Sequence, residues 1–339
     1  MAFPPLDPAM RDRLTTRFGP SVASWLDALP AQVATLAARW EVTVGSPPLV
    51  DGGSTSVVVH GRAAAGAAVV LKLTPEPDLA RAEGDVLEAA SAGSVAGSAG
   101  ASSSDSARHA PPFPRLLARD DALGALLIEA IEPGTPLDRS AGPLAAPAVG
   151  ALLRGLRSIP AADGLPPLRE RVAWCFDLFE RRVARDGTEA HGGADARGGA
   201  EAHGGDGRAA DLAALGRGRA LALRLADGWD AAPVFVHGDL HPGNVLDGGP
   251  VRGLVAIDPR PCMGDPGFDA ADLALWGVAR VDESERQIDA VATVAGCDAE
   301  RLAAWCAALA AMAAVSLAAR PDAVPRRAER LATLRALAA

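Results

Sequence analysis

The sequence predicts an α+β chain in two lobes: a small β-rich N-terminal lobe over residues 1–131 and a larger α-helical C-terminal lobe over residues 132–339. Three observations carry that expectation. At 339 residues the chain is longer than one hydrophobic core usually organises. Short β-branched runs bounded by Gly and Pro crowd the first 131 positions. From Ala145 onward the pattern is mostly helical, interrupted by one strand–loop–strand unit from Val234 to Ile257.

In the N-terminal lobe, Glu41-Val-Thr-Val-Gly45, Ser56-Val-Val-Val-His60 and Ala67-Ala-Val-Val-Leu-Lys-Leu73 read as strands. Leu79 to Ala90 reads as a helix, because Leu79, Ala82, Val86 and Leu87 share a face. Ala125-Leu-Leu-Ile-Glu-Ala-Ile131 reads as a further strand, broken by Glu132-Pro-Gly-Thr-Pro136. Two low-complexity stretches stand apart. Residues 91–110 are rich in Ser, Ala and Gly, and residues 187–209 in Gly, Ala and His. Both carry too little apolar bulk to offset their ordering entropy, so both are expected to be flexible surface insertions. A metal site built on His191 and His203 would lack rigid support there.

Composition narrows the partners. A net charge of −9 argues against nucleic acid, which needs a basic stripe, and is compatible with a cationic substrate. Cys175, Cys262, Cys297 and Cys306 form neither a CxxC pair nor a Cys/His metal spacing, so they read as free thiols in a reducing compartment. No secretory signal is visible near Met1, and a cytoplasmic location is expected. Leu302 to Ala319 has the length and apolarity of a membrane span, yet most of it is alanine, a strong helix former of weak hydrophobicity. It reads as a closely packed core helix, and no membrane partner is expected. The sequence does not set the oligomeric state.

Two residues stand out by rarity. Of the 33 lysines and arginines only Lys72 is lysine, Asn244 is the only asparagine, and tyrosine is absent. This is the composition of a strongly GC-biased genome, in which Arg replaces Lys wherever a generic positive charge suffices. A surviving Lys marks a place where a compact point charge is needed and a planar fork will not fit. A surviving Asn marks a neutral amide oxygen able to ligate a hard cation.

Both survivors fall in phosphoryl-transfer motifs. Val234-Phe-Val-His-Gly-Asp-Leu-His-Pro-Gly-Asn-Val-Leu246 has the spacing H-x-D-x-x-x-x-N of a kinase catalytic loop, and the next strand, Gly253-Leu-Val-Ala-Ile257, ends at Asp258. The chemistry explains the residue types. A carboxylate, Asp239, must orient the acceptor hydroxyl and take its proton. Hard oxygen donors, Asn244 and Asp258, must hold Mg2+ on the phosphates of ATP. Lys72, in an apolar strand, is placed to contact the phosphates. Glu83 on the following helix is its expected partner, with Glu88 as the alternative. Asp51-Gly-Gly-Ser54 lies where a phosphate-covering turn belongs, so the Ser54 region is a weaker cofactor-binding candidate, equally readable as a hairpin turn. A Walker A loop is excluded, because Lys72 follows Leu71 and not Gly. After Asp258 the chain runs quickly into a helix. That leaves no room for the activation segment of a protein kinase and favours a small-molecule acceptor.

On these residues the chain resembles the aminoglycoside phosphotransferase superfamily, and more narrowly the streptomycin 6-kinase / hydroxyurea phosphotransferase family. The narrower likeness lies in Leu126-Leu-Ile-Glu-Ala-Ile-Glu-Pro-Gly-Thr-Pro-Leu137 and in Ala256-Ile-Asp-Pro-Arg260 leading to Gly264-Asp-Pro-Gly-Phe-Asp269. It implies a protein-kinase-like fold of two lobes. It also implies Asp239 as base, Asn244 and Asp258 as magnesium ligands, and Lys72 with Glu83 on the phosphates. The stretch Glu129 to Ile131 would be a hinge whose backbone receives the adenine. Asp269 would brace the catalytic loop, or else cap the next helix. The sequence departs from the family in its glycine-poor phosphate loop and in Asp265, where a Glu is expected. The implied activity is ATP-dependent phosphorylation of a hydroxyl on a small cationic antibiotic, streptomycin first at its 6-hydroxyl. Hydroxyurea or another small metabolite is the alternative, and a catalytically inactive pseudokinase the reading from a different class. Candidate carboxylates for a guanidinium-bearing acceptor include Asp265, Asp272 and acids of the C-terminal helices such as Asp282, and the sequence does not assign them.

Overall fold

A computed structural model describes residues 6–45, 50–51, 55–97, 111–139, 146–160, 164–189, 205–320 and 324–338. The chain divides into two compact units. The first is Met1–Thr135 with Leu246–Asp258, and the second is Pro136–Val245 with Pro259–Ala339.

The first unit opens with two helices, α1 (Pro8–Phe18) and α2 (Val22–Arg39). Asp7 caps α1 by accepting from the Ala9 N–H at 3.1 Å, and Pro8 sits at the position where no N–H partner is needed. On α2, Leu26, Leu29, Val33 and Leu36 recur at intervals of three and four and are all buried. They pack on the sheet through Val57, Val59, Leu71 and Leu73.

That sheet is antiparallel, built from β1 (Val42–Val44), β2 (Val50–Asp51), β3 (Val57–Ala63), β4 (Ala68–Leu73), β5 (Leu116–Asp120) and β6 (Ala125–Glu129). Its order is β1-β3-β4-β6-β5, with β2 also pairing β3. On β4 the two-residue alternation sends Leu71 and Leu73 toward the α1–α2 core and Lys72 to the other face, opposite Val58 on β3 and Leu126 on β6. Helix α3 (Pro77–Gly97) follows β4. It runs on through Ser91 to Gly97, so the expected flexible stretch is helical in its first seven residues. Ala92 and Ala96 favour continuing the helix, and the Ser91 hydroxyl donates to the Leu87 carbonyl at 2.8 Å, against the disorder that low complexity suggested. The remainder, 98–110, lies outside the described residues. A second small sheet, of order β10-β9-β7, comprises β7 (Thr135–Pro136), β9 (Val245–Asp247) and β10 (Leu254–Ala256), with α7 (Gly249–Arg252) between β9 and β10.

The second unit contains α4 (Ala146–Arg157), α5 (Leu168–Glu189), α6 (Gly205–Asp227), α8 (Gly267–Ala274), α9 (Val281–Ala295), α10 (Ala299–Ala318) and α11 (Arg327–Leu337). Its described sheet is the pair β8 (Val234–Val236) and β11 (Cys262–Gly264), antiparallel with Val236 opposite Cys262. The second low-complexity stretch is likewise helical at both ends, through Glu189 and from Gly205, while 190–204 lie outside the described residues. Helix α10 is long and apolar enough to cross a membrane by length and composition, but more than half of it is buried in the protein. Trp305 and Cys306 are fully enclosed, and the helix packs on α6, α8 and α11. Asp265, 1% exposed, accepts from Trp305 Nε1 at 2.5 Å, Arg301 Nε at 2.6 Å and the Gly267 N–H at 2.8 Å. It thereby ties the β11–α8 loop to α10.

Candidate active site

In the first unit the one lysine of the chain is held by two acids. Lys72 is 8% exposed, and its ammonium donates to Glu83 Oε2 at 2.5 Å and to Asp258 Oδ1. Glu83 reaches it from α3, and Asp258 from the residue pair that follows β10. Burial is the largest influence on the ammonium and by itself would discharge it. Asp258 and Glu83 outweigh burial and raise its pKa above 10.5, so the lysine is firmly charged. Glu88 faces Arg119 instead, at 3.5 Å. Asp258 adopts φ +57°, a left-handed conformation that aspartate tolerates better than most residues.

Glu129 ends β6 with both its N–H and its carboxylate committed. The N–H donates to the Arg115 carbonyl at 2.9 Å. Its Oε2 accepts from the Arg115 N–H at 3.1 Å and lies 3.4 Å from Arg252 Nη2. Ala130 N–H donates to the Ala68 carbonyl at 3.2 Å. Of the three residues expected to form a hinge, Ile131 is the one whose N–H makes none of these bonds. Ser54 lies outside the described residues.

In the second unit β8 delivers His237, Gly238 and Asp239 into a loop that closes with a 3-10 turn, Pro242–Asn244. His241 caps that turn by accepting from the Gly243 N–H at 3.1 Å. Gly238 has φ +77°, and a Cβ there would overlap the Arg260 carbonyl oxygen, so only glycine fits. Asn244 donates from Nδ2 to the Asp239 carbonyl at 2.9 Å, which leaves its amide oxygen for another partner. Two side chains from neighbouring helices grip the same loop. Asp269 of α8 accepts from the His237 N–H at 2.6 Å and the Gly238 N–H at 3.0 Å, while the cap position of α8 belongs to Pro266. This is the bracing expected of Asp269, and not the alternative of a helix cap. Arg171 of α5, not singled out at all, donates to the Gly238 carbonyl at 2.6 Å and to Asp239 Oδ1 at 3.0 Å.

Burial pushes the Asp269 carboxyl up to about 7, against the opposing pull of its two backbone N–H donors. Asp272, one turn along α8, is raised to about 6, first by burial and then by Asp239, with His241 and Arg171 opposing. For Asp269 the folded value lies above the ordinary 3.8, so folding takes up a proton between those values. Its contribution to stability is greatest at the acid end of that window and falls as pH rises toward about 7. Asp269→Asn removes the titration. In urea melts the stability advantage of the wild type over this variant is expected to be larger near pH 5 than near pH 8; an equal gap at both would show an ordinary carboxyl.

The acceptor-side candidates separate clearly. Asp265 is corrected to a structural residue, because its carboxylate is enclosed and spent on Arg301, Trp305 and the Gly267 N–H. Asp282 is a surface residue paired with Arg280 at 2.8 Å and Arg286 at 3.1 Å. Asp272 lies close enough to Asp239 for their charges to interact.

Comparison with known proteins gives a family. A family model described as aminoglycoside/hydroxyurea antibiotic resistance kinase matches residues 208–320. A hydroxyurea phosphotransferase of Kitasatospora aureofaciens is 30% identical over 314 residues, covering 88% of this chain and 76% of that protein. A streptomycin 6-kinase of Streptomyces glaucescens is 30% identical over 313 residues, covering 85% and 82%. In fold, the chain is similar to the crystal structure of choline kinase LicA from Streptococcus pneumoniae, with a TM-score of 0.54 at 14% identity over 92% of this chain and 99% of that one. The chain belongs to the aminoglycoside/hydroxyurea antibiotic resistance kinases, small-molecule phosphotransferases of protein-kinase-like fold.

Proposed function

We propose that the protein transfers the γ-phosphoryl group of MgATP to a hydroxyl of a small cationic acceptor, with the 6-hydroxyl of streptomycin the first choice and hydroxyurea the alternative. The observation that carries this reading is Lys72, the one lysine, buried and charged between Glu83 and Asp258. Such a lysine can exchange a carboxylate for phosphate oxygens without leaving its strand. Ile131 offers a backbone N–H to the adenine. The donor chemistry of each proposed ligand, taken by itself, suits a hard divalent cation. Asn244 has an amide oxygen to spare, and the Asp258 side chain is 31% exposed. Held by oxygen donors of this kind, Mg2+ would neutralise charge on the phosphates of ATP.

The rest of the chemistry falls to Asp239. Its Oδ2 accepts a hydrogen bond from the acceptor hydroxyl and takes that proton as the new oxygen–phosphorus bond forms and the bond from the γ-phosphorus to the β–γ bridging oxygen breaks, releasing ADP. The loop is built to hold this carboxylate still, since its backbone is gripped by Asp269 and Asn244. A cationic acceptor is supported by Asp272 and by Asp138, which lies beside Gly243 of the loop. ATP supply puts the reaction in the cytoplasm.

The test is ADP release, coupled to a reporter, with Mg2+ present and with EDTA added. Streptomycin, other aminoglycosides and hydroxyurea are each supplied as acceptor. Streptomycin is expected to raise ADP release above the acceptor-free rate, and EDTA to abolish the rise. A rise with hydroxyurea alone selects the alternative. No rise with any acceptor would leave the pseudokinase reading in its place.

A further inference from the structure

We propose that Arg171 is a positioning residue for phosphoryl transfer. Its guanidinium clamps the Gly238–Asp239 segment of the loop and occupies Asp239 Oδ1, so that Oδ2 is the oxygen presented to the acceptor hydroxyl. The inference rests on the reading of Asp239 as the base.

The geometry is that of a fork and not of a point charge. Arg171 Nε donates to the Gly238 carbonyl at 2.6 Å, and Nη2 donates to Asp239 Oδ1 at 3.0 Å. Two acceptors on consecutive residues are thus gripped by one planar group, which a lysine ammonium cannot reproduce. The fork is itself held. The Arg171 guanidinium lies over the Trp174 ring, 4.6 Å from its centroid, one turn along α5. The arginine side chain is only 11% exposed, against 36% for Asp239. The stack removes rotamer freedom from the arginine before it meets the loop.

Gly238 is consequently fixed from two helices at once. Asp269 of α8 takes its N–H, and Arg171 of α5 takes its carbonyl. Because Gly238 sits at φ +77°, where glycine has wide freedom, this residue would otherwise be the hinge on which Asp239 swings. The Asp239 carboxylate is then oriented. Oδ1 faces Arg171, and Oδ2 lies 3.4 Å from Asn244 Nδ2, whose shorter bond goes to the Asp239 carbonyl. Oδ2 is the oxygen with room for a further donor.

The test compares Arg171→Ala and Arg171→Lys with the wild type in steady-state assays with the acceptor that the wild type uses. Arg171→Ala is expected to lose about 10²-fold in kcat, the scale of a misplacement near 1 Å, with the KM for ATP within about two-fold. Millimolar guanidinium is expected to restore part of the kcat of Arg171→Ala. Sodium and methylammonium chloride at equal ionic strength are expected to restore none. Arg171→Lys keeps the charge and stem but not the fork, and is expected to stay well below the wild type. If Arg171→Ala does not fold, Arg171→Lys carries the test, and wild-type kcat in that variant overturns the proposal. So does a folded Arg171→Ala with wild-type kcat, or with a loss that guanidinium does not relieve. Asp239→Asn assayed in parallel keeps the two ideas apart. Full activity in that variant sinks the base assignment, whereas an inactive Asp239→Asn beside an unaffected Arg171→Ala sinks only the clamp.

Discussion

Asp239→Asn is expected to lower kcat by about 10²–10⁴-fold, the usual range for removing a positioned general base. The substitution is nearly isosteric. Its amide oxygen can still accept from Arg171, and the loop keeps the backbone grips of Asp269 and Asn244. What is lost is the ability to take the acceptor proton. Because the nucleotide is assigned to Lys72 and its neighbours, KM for ATP is expected to change little while kcat and kcat/KM for the acceptor fall together. Steady-state kinetics of the purified variant decides the matter, with a thermal melt to show that it is folded. A folded Asp239→Asn with kcat within ten-fold of the wild type would remove Asp239 from the chemistry.

The parts of this molecule that could be read from sequence are those where pattern and scarcity agree. Strands β3, β4 and β6 alternate or run apolar between Gly and Pro, and each appears close to its expected span. Helix α2 was not assigned, although its buried leucines keep helical spacing, because Pro30 lies inside it and reads as a breaker. Strand β5 was missed because Leu116–Asp120 carries two charges in five residues and pairs only with β6, at the sheet edge. The site follows the same logic. In a chain almost without lysine and asparagine, Lys72 and Asn244 announce themselves. The bias that exposes them hides Arg171. One arginine among so many carries no signal, and it meets Asp239 from 68 residues away. Asp265 failed in the opposite sense. It sits in a motif stretch and looks available, but only the fold reveals Trp305 and Arg301 closing over it. Residue scarcity reports on chemistry that has no substitute, and says nothing of contacts made by common residues across the fold.

Lys72→Met is expected to abolish measurable turnover and also to cost about 3–5 kcal/mol of stability, the range for removing one partner of a buried ion pair. The two effects have different origins and can be separated. Activity is lost because methionine offers no donor to the phosphates, a loss of about 10²-fold or more for one well-placed electrostatic contact. Stability is lost because the Glu83 and Asp258 carboxylates then face each other without the ammonium between them, and Glu83 is only 9% exposed. Protonating Glu83 relieves the repulsion, so Lys72→Met is expected to recover stability as pH is lowered. Neutralising the glutamate permanently does the same at pH 7. The double variant Lys72→Met/Glu83→Gln is expected to be more stable than Lys72→Met alone while remaining inactive. Urea melts of the wild type, both single variants and the double variant close a thermodynamic cycle with a large coupling energy. Additive losses in that cycle would mean that lysine and glutamate do not act as a pair. A stable but inactive double variant would instead show that the charge on Glu83 serves the lysine, and that the lysine serves the nucleotide.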